Sequence, residues 1–574
     1  MKLNGKLLLI TFFFLLLSSV ASTQGKHVIS ASEMAVKTVT GSNGLVYSSL
    51  FGGSGDDYGC AISRDSQNNT IIAGITYSGD FPVTEGAYIT PHRGGSDVFV
   101  SKIAENSTLL FSTIIGGSNS ETELSPLDGN DLHILEIALD SADNIIIQGT
   151  THSSDFPTTE GAYDTTYDGN KDIFIAKLSA DGSDLLFGTY LGGSAADVLT
   201  RVTDRTIALD DADNIYVTGL TASSDFPVTS DALQSVHAAH GTDADAFITK
   251  LSADGAEILY STFLGGSFNE GGTSLALDGE GNVIIGGYTA SADFPTTANA
   301  YDTTHSGYED GFIAKLSANG STLAFSTFLG GTNGDWVTTI TVDEKGDIYI
   351  AGETTSSNYP VTGGASDTSH SGLHDSFVTK LSSDGTELQF STFLGGSGDD
   401  APLGVVLDKE KSVYVIGITS SSDFQIISTV NNIASSALKG ELDYTITKIS
   451  PDGSFLQYSS YLGGDANEIM NLFPRLGSPA GIDLVNEDNV IVVGTTNSAD
   501  FPVTADAFNK TLAYSDATGG RDVFITQLTW SPLTEATTTT TSNGVPGFDI
   551  LAGVSSILAA GTLVNWSRRR KRNR

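Results

Sequence analysis

Seven copies of one string, spaced about 65 to 76 residues apart, leave this chain few ways to fold. The copies are marked by the pairs Gly52-Gly53, Gly116-Gly117, Gly192-Gly193, Gly265-Gly266, Gly330-Gly331, Gly395-Gly396 and Gly463-Gly464, each following an aromatic, Ser/Thr-rich apolar run. A repeat of that length encodes one supersecondary unit. It is too small to bury its own apolar surface, so each copy has to pack on the next. The 574 residues therefore predict one large domain with tails, not a string of independent globules.

Within a copy the pattern is that of strands. Ile207-Ala208-Leu209-Asp210, the polar turn from Asp211 to Asn214, and Ile215-Tyr216-Val217-Thr218-Gly219 read as a hairpin. Ala246 to Leu251 and Ile258 to Leu264, joined through Ala253-Asp254-Gly255, supply two further strands. The inner runs, such as Ala246-Phe247-Ile248 and Ile145-Ile146-Ile147, are apolar at successive positions, so both faces of each sheet must be covered. Radial packing meets that requirement and predicts an all-β fold: a seven-bladed β-propeller of four-stranded antiparallel blades. A stacked solenoid is the alternative, disfavoured by rungs this long. Leu45 to Phe51 is a fourth strand with no third before it, while the last copy ends on a third strand, Val523 to Leu528. Pairing residues 45–51 with 523–528 would close the ring and leave no blade edge open.

The strings LYSTFLGGS (Leu259 to Ser267), IALDDADNIYVTGLT (Ile207 to Thr221), SSDFPVT (Ser223 to Thr229) and DAFITKLSADG (Asp245 to Gly255) resemble the SBBP β-propeller repeat family, and the likeness extends over residues 41–530. The resemblance implies a propeller of the kind found mostly in exported prokaryotic proteins. It implies no particular activity.

The termini carry an address. Residues 1–22 hold Lys2 and Lys6, an apolar run from Leu7 to Leu17 and small residues up to Ala21 and Ser22, the pattern of a signal peptide. Residues 23–40 form the mature N-terminal segment and 41–530 the propeller. A Thr-rich linker, 531–545, leads to a C-terminal anchor or sorting signal with a basic tail, 546–574: an uncharged stretch from Ile550 to Trp566, then arginines from Arg568 to Arg574. Pro546-Gly547-Phe548 with that span and tail resembles the PGF-CTERM sorting signals of archaeal surface proteins, which implies cleavage and transfer to a lipid anchor. A retained membrane span explains the same residues. Both readings place the body on the extracellular face of the cell membrane. With Cys60 alone no internal disulfide can form, and a net charge of −40 excludes nucleic acid as a partner.

One carboxylate stands four residues after the second glycine of every pair: Asp57, Glu121, Asp197, Glu270, Asp335, Asp400 and Glu468. On the blade-crossing loops such a set could ring one mouth of the axial channel and hold Ca²⁺ or another hard cation. Alternatively each acid accepts backbone N–H bonds in its own loop, repeated because the blade is repeated. No motif requires a cofactor. A second set, Asp80, Asp155, Asp225, Asp293, Asp423 and Asp500 with Asn358 as the variant, precedes Phe or Tyr and usually Pro: the Asp to cap a turn, the aromatic to wedge between blades. The Gly-x-Thr of each second strand reads as close packing, and the Asp-Gly turns as tight hairpins. Asn68, Asn106, Asn319 and Asn509 head glycosylation sequons.

Catalytic patterns are scarce. His237, His240, His305 and His370 lack metal spacing, and there is no phosphate loop or dinucleotide fingerprint. The expectation is a non-enzymatic, monomeric cell-surface binding or scaffold module recognising protein or glycan, its binding surface sought in the irregular loops 118–134 and 465–480. A surface hydrolase or lyase with a loop-built site, or a purely structural envelope component, are the alternatives.

Overall fold

The computed structural model describes residues 45–529 except 91, 93, 123–134, 200–204, 242, 428–434, 469–479, 506 and 513–519. The stretches read from sequence as signal peptide, linker and C-terminal anchor or sorting signal, and most of both irregular loops, lie outside these residues. Among the described residues no helix is long and apolar enough to cross a membrane.

The described residues build seven antiparallel sheets, six of them running first to fourth strand outward in chain order and the seventh taking its outer strand from the start of the chain. In blade 1 the strands are Asp57–Arg64, Thr70–Thr76, Asp97–Ile103 and Leu109–Ile115, and blade 5 repeats them as Asp335–Val342, Ile348–Thr354, Asp375–Leu381 and Leu388–Leu394. The first strand of blade 3 is split into Asp197–Val198 and Ile207–Leu209. First strands of successive blades lie against one another, blade 7 returning to blade 1, so they line the axis. The core is seven apolar clusters, each built from two adjacent blades. That arrangement buries runs such as Ile71-Ile72-Ala73 on both sides, as the unbroken apolar pattern requires.

Closure follows the predicted pairing. Leu45–Phe51 joins Asp522–Thr529 antiparallel, with Leu50 opposite Phe524 and Phe51 opposite Val523, and becomes the outer strand of blade 7. The outer edges are covered too. The long connection between second and third strands runs back along the fourth, as in Thr297 N–H to Ser326 O at 3.0 Å and Phe328 N–H to Asp302 O at 3.0 Å. No long edge is then presented for pairing with another chain there.

The aromatic of the second acid set does wedge into the core. Phe156 stacks on Phe174, centroids 4.4 Å apart, and Tyr359 on Phe377 at 4.2 Å. Each such fully buried ring contributes about 1.5–3 kcal/mol by burial. The Asp before it does more than cap its own turn. Asp80 Oδ1 accepts the N–H of Ser54 at 2.7 Å and its hydroxyl at 2.8 Å, clasping the loop that crosses from blade 7. Asp155, Asp225, Asp293, Asn358, Asp423 and Asp500 hold the matching residue in the other six crossing loops. The Asp-Gly turns are tight as expected: Gly255 and Gly385 take φ of +69° and +72°.

Candidate functional site

Strand direction sorts the loops onto two faces. The blade-crossing Gly-Gly loops and the second-to-third connections share one, the crossing-loop face; the tight hairpin turns occupy the other, the turn face.

On the crossing-loop face the seven predicted acids, Asp57, Glu121, Asp197, Glu270, Asp335, Asp400 and Glu468, are all buried, at 0–1 % exposure. Each is fixed locally. The N–H of the second glycine donates to it at 2.6–3.2 Å. A serine hydroxyl from the end of the adjacent second strand adds a bond of 2.6–2.9 Å to Asp57, Asp197, Asp335, Asp400 and Glu468. The threonine of Gly-x-Thr donates to Glu121, Glu270 and Asp335. The glycine of that motif is equally constrained: a Cβ on Gly219 would lie 2.7 Å from Val198 O.

What the sequence reading missed is a second circle. The first residue of every third strand is also a buried acid: Asp97, Asp172, Asp245, Asp310, Asp375, Asp443 and Asp522. It meets the crossing-loop acid of the next blade. A Cβ added to Gly192 would lie 2.8 Å from Asp172 Oδ1 and 3.0 Å from Asp197 Oδ2, and one on Gly330 would lie 2.9 Å from both Asp310 Oδ1 and Asp335 Oδ2. Only glycine leaves room where the two carboxyls converge. No donor reaches Asp172 Oδ1, and Asp97 Oδ1 and Glu121 Oε2 approach Gly116 together without one. The recurring Asp that opens DAFITKL was the available signal.

Seven junctions thus each hold two carboxyls in a dry setting, where two negative charges are strongly disfavoured. Burial pushes Asp57 up to about 8, against hydrogen bonds from Thr76, Gly53 and Ser78. Burial likewise raises Glu121 to about 8, Glu270 and Glu468 to about 7, and Asp335 and Asp400 to about 6. Asp172 reaches about 7 through burial, helped by Asp197. Such a pair can share one proton. Each acid is seated at its own junction beside a third-strand Asp, and among the described residues no group of three or more His, Cys, Asp or Glu is arranged to hold a metal ion.

The histidines of the variable segments belong to this framework. His237, His305 and His370 place Nε2 3.1–3.3 Å from the carbonyls of Thr221, Thr289 and Thr354 and set their rings on edge against Phe263, Phe328 and Phe393. His92 contacts Asp97, which raises the imidazole pKa. Cys60 is a buried core thiol, its pKa raised by burial.

The regularity breaks where blades 4, 5 and 6 meet on the crossing-loop face. Trp336 follows Asp335, a place held by Tyr58, Thr122, Val198, Gly271 and Ala401 in other copies. Its Nε1 donates to Glu309 Oε2 at 2.6 Å, and its ring stacks on His374 with centroids 6.3 Å apart. Gly334 makes this possible, since a Cβ there would collide with the indole. His374 Nδ1 contacts the carboxylate of Glu353, which is only 4 % exposed. Asp399 stands beside them, its carboxyl raised by burial and by Glu353 while His374 pulls it back. Next to Glu309 and His374 in the chain, the large apolar side chains Tyr308 and Leu373 are exposed, at 80 and 75 %, and Phe268, one junction earlier on the loop crossing from blade 3 to blade 4, is exposed at 55 %. None of these residues was singled out from sequence. Comparing the copies position by position, with Glu353 where others carry Ile, Leu, Thr or Tyr, would have found them.

On the turn face the pattern holds in six blades, Gln527 taking the place of the lysine in blade 7. Lysines of the third strands pair with aspartates of the first hairpin: Lys102–Asp65 at 2.8 Å, Lys177–Asp140 and Lys315–Asp278 at 2.6 Å, Lys250–Asp210 at 2.8 Å, Lys380–Asp347 at 3.1 Å and Lys448–Asp408 at 3.0 Å. Several also bond a carbonyl of the next blade, as Lys102 Nζ does to Ala180 O at 3.0 Å. The axis opens here into a cavity of about 420 Å³ bordered by Glu136, Arg205 and Asp483.

Two stretches, residues 186–227 and 324–360, match the family described as "SBBP: Beta-propeller repeat". No curated protein matches the chain. Among solved structures, a protein of unknown function from Dyadobacter fermentans is 9 % identical, with 86 % of this chain and 99 % of that one covered at a TM-score of 0.37. BamB from Moraxella catarrhalis is 9 % identical over 81 % and 83 % at 0.32. Polysaccharide lyase Uly1 is 11 % identical over 83 % and 90 % at 0.37. Likenesses this distant transfer no activity to the chain.

Proposed function

We propose that the propeller is an exported, membrane-tethered binding or scaffold module of the cell surface that recognises a protein or glycan on its crossing-loop face. The observation that carries this is the break in the repeat at blades 4 to 6. There the exposed Tyr308 and Leu373 immediately precede Glu309 and His374, which meet Trp336, whereas the paired carboxyls of the other junctions are buried and internally bonded. An exposed apolar cluster rimmed by polar groups is the usual mark of an interaction site. Export and tethering rest on the two termini, read from sequence. The carboxyl circle is assigned to the framework, held by protons and backbone donors and independent of Ca²⁺.

The test is binding of the purified chain to panels of surface glycans and envelope proteins, repeated with Tyr308→Ser, Leu373→Ser and Phe268→Ser combined. Saturable binding lost in the triple variant supports the reading. Binding unaffected by the triple variant, or none at all, sinks it.

One observation favours a second reading, a hydrolase or lyase. A carboxylate that orients an imidazole, as Glu353 does His374, is the arrangement of a general base. Turnover of any panel glycan or peptide that is abolished by His374→Gln would favour it over a binding module.

A further inference from the structure

In blades 2 to 6 the hairpin between third and fourth strands leans over the blade before it. At three junctions a carbonyl of that turn takes the preceding lysine: Ala180 O accepts from Lys102 Nζ at 3.0 Å, Ala253 O from Lys177 Nζ at 3.3 Å and Ser383 O from Lys315 Nζ at 3.5 Å. Two residues further on, the left-handed glycine of the turn sits on the preceding blade's fourth-strand aromatic. A Cβ on Gly182 would lie 2.5 Å from the Phe111 ring, and one on Gly385 2.2 Å from that of Phe325.

Blade 7 has no such hairpin, because its outer strand comes from the start of the chain. The sequence runs on past Thr529, and Trp530 stands eight residues after Asp522 as Ala180 stands eight after Asp172. The other copies carry Glu105, Ala253, Ala318, Ser383 and Pro451 at this place, so a large aromatic is new to it. Strand period gives its direction. Phe524 and Leu528 pack in the apolar cluster shared with blade 6, while Val523 and Ile525 pack toward blade 1, so position 530 is the next on the blade 6 side. Between the first hairpins of blades 6 and 7 the turn face holds an open cavity of about 610 Å³, lined by Leu407, Asp408, Leu484, Val485, Glu487 and Thr529 among others.

We propose that Trp530-Ser531-Pro532 is a latch that docks on blade 6 in place of the missing hairpin, its indole filling this cavity against Leu407, Leu484 and Val485. The Trp530 carbonyl turns to Lys448, which lies 3.0 Å from Asp408 as Lys102 lies 2.8 Å from Asp65. Pro532 stands where Gly182 does, and its fixed φ excludes the left-handed turn, so the segment passes over blade 6 without doubling back. The occupant is this segment and not a separate molecule because the chain delivers Trp530 to the cavity one residue after Thr529, at high effective concentration. The consequence is mechanical. A pull on the linker that follows is borne by blade 6 as well as by Asp522–Thr529, the strand that holds the closing segment Leu45–Phe51.

The test makes Trp530 the only tryptophan of the full chain, through Trp336→Phe and Trp566→Phe. In the folded chain its emission should lie to the blue of that in urea and resist acrylamide quenching. A nitroxide on Asp488→Cys, at the cavity wall, should quench it, whereas one on Glu280→Cys, in the first hairpin of blade 4, should not; Cys60 is buried and stays unlabelled. Trp530→Ser should lower Tm by about 2 °C, with Trp530→Phe largely keeping it, and Leu484→Ser should move the emission to the red. Equal emission and quenching in the folded and unfolded chain would overturn the latch. So would a protected Trp530 that the Asp488 label fails to quench, which seats the indole elsewhere, or protection that grows with protein concentration, which gives the cavity to a second copy.

Discussion

On the turn face the buried acids of six blades each face a lysine, whereas on the crossing-loop face buried acids face acids. Lys177 reaches Asp140 at 2.6 Å and then Ala253 O of the following blade at 3.3 Å, so the pair also ties neighbouring blades. Asp172 and Asp197, at the other end of the same sheets, converge on Gly192 with no base between them. The turn face has its charges balanced within the fold. On the crossing-loop face the paired acids are answered by protons and backbone donors, and it is also where the repeat is broken. Regular geometry builds the ring, and the exception at blades 4 to 6 is where recognition is sought.

The comparison depends first on the ring being closed. Removing residues 41–51 takes away the buried side chains Leu45, Tyr47, Leu50 and Phe51, together on the order of 8 kcal/mol at about 1.5–3 kcal/mol each, and opens an edge on blade 7. Calorimetry should show loss of the cooperative melt; an unchanged Tm would mean the blades do not depend on closure.

The junctions come next. Gly52→Ala would put a Cβ 2.7 Å from both Asp522 Oδ1 and Asp57 Oδ2, and overpacking of this kind costs about 1–3 kcal/mol. Urea denaturation of this variant should show a lower midpoint, while Gly86→Ala, with nothing within 4 Å though at φ +87°, should cost less.

On the opposite face Lys177→Met leaves Asp140 with Asn144 as its remaining side-chain donor, a loss of about 1–3 kcal/mol for a buried charged hydrogen bond. The cost should shrink as pH falls through the folded pKa of Asp140, which lies below the usual carboxylate value because hydrogen bonds from Lys177 and Asn144 outweigh the opposing effect of burial. A cost independent of pH over the whole acid range in which the protein stays folded would assign the effect to packing.

The pH profile sharpens the contrast further. Junction carboxyls have folded pKa values raised to about 6–8, so their stabilising balance is full below the unfolded values near 4 and is lost as pH rises through 6 to 8. Turn-face acids such as Asp65, Asp140 and Asp278 have lowered values, so their contribution is present above pH 4 and lost below it. Tm should peak near pH 4 and decline as pH rises to about 8. Asp172→Asn, which supplies a donor facing Asp197, should flatten the alkaline decline; a steeper decline would refute proton sharing at that junction. The smallest effect is expected from calcium: millimolar Ca²⁺ at pH 7 should leave Tm unchanged, and a rise of several degrees would return the carboxyl circle to a cation site.

Much of the ring could be read from sequence because it is periodic. The Gly-Gly pairs, the all-apolar inner runs and the mismatched terminal strands predicted blades, their covering and their closure, since each is a local pattern with one geometric consequence. Glu121 and its counterparts were found by the same periodicity, but their partners were not: Asp97 and Asp172 sit in strands and looked like strand openers. Pairing across blades is a tertiary fact that no single copy displays. Trp336, Glu353 and His374 were hidden for the opposite reason, being departures from a pattern that had been read for its regularity. The clasp from Asp80 to Ser54 shows the same limit, because a residue that caps a turn and one that ties two blades look alike in sequence.

The claim at the centre is that recognition occurs at the broken sector of the crossing-loop face. Hydrogen–deuterium exchange of the chain with and without a saturating ligand from the binding panel tests it most directly. Protection should appear at residues 306–311, 332–337, 352–354, 371–376 and 397–400. Protection confined to the turn face, such as residues 343–347 and 382–385, or spread equally over all seven junctions, would contradict it.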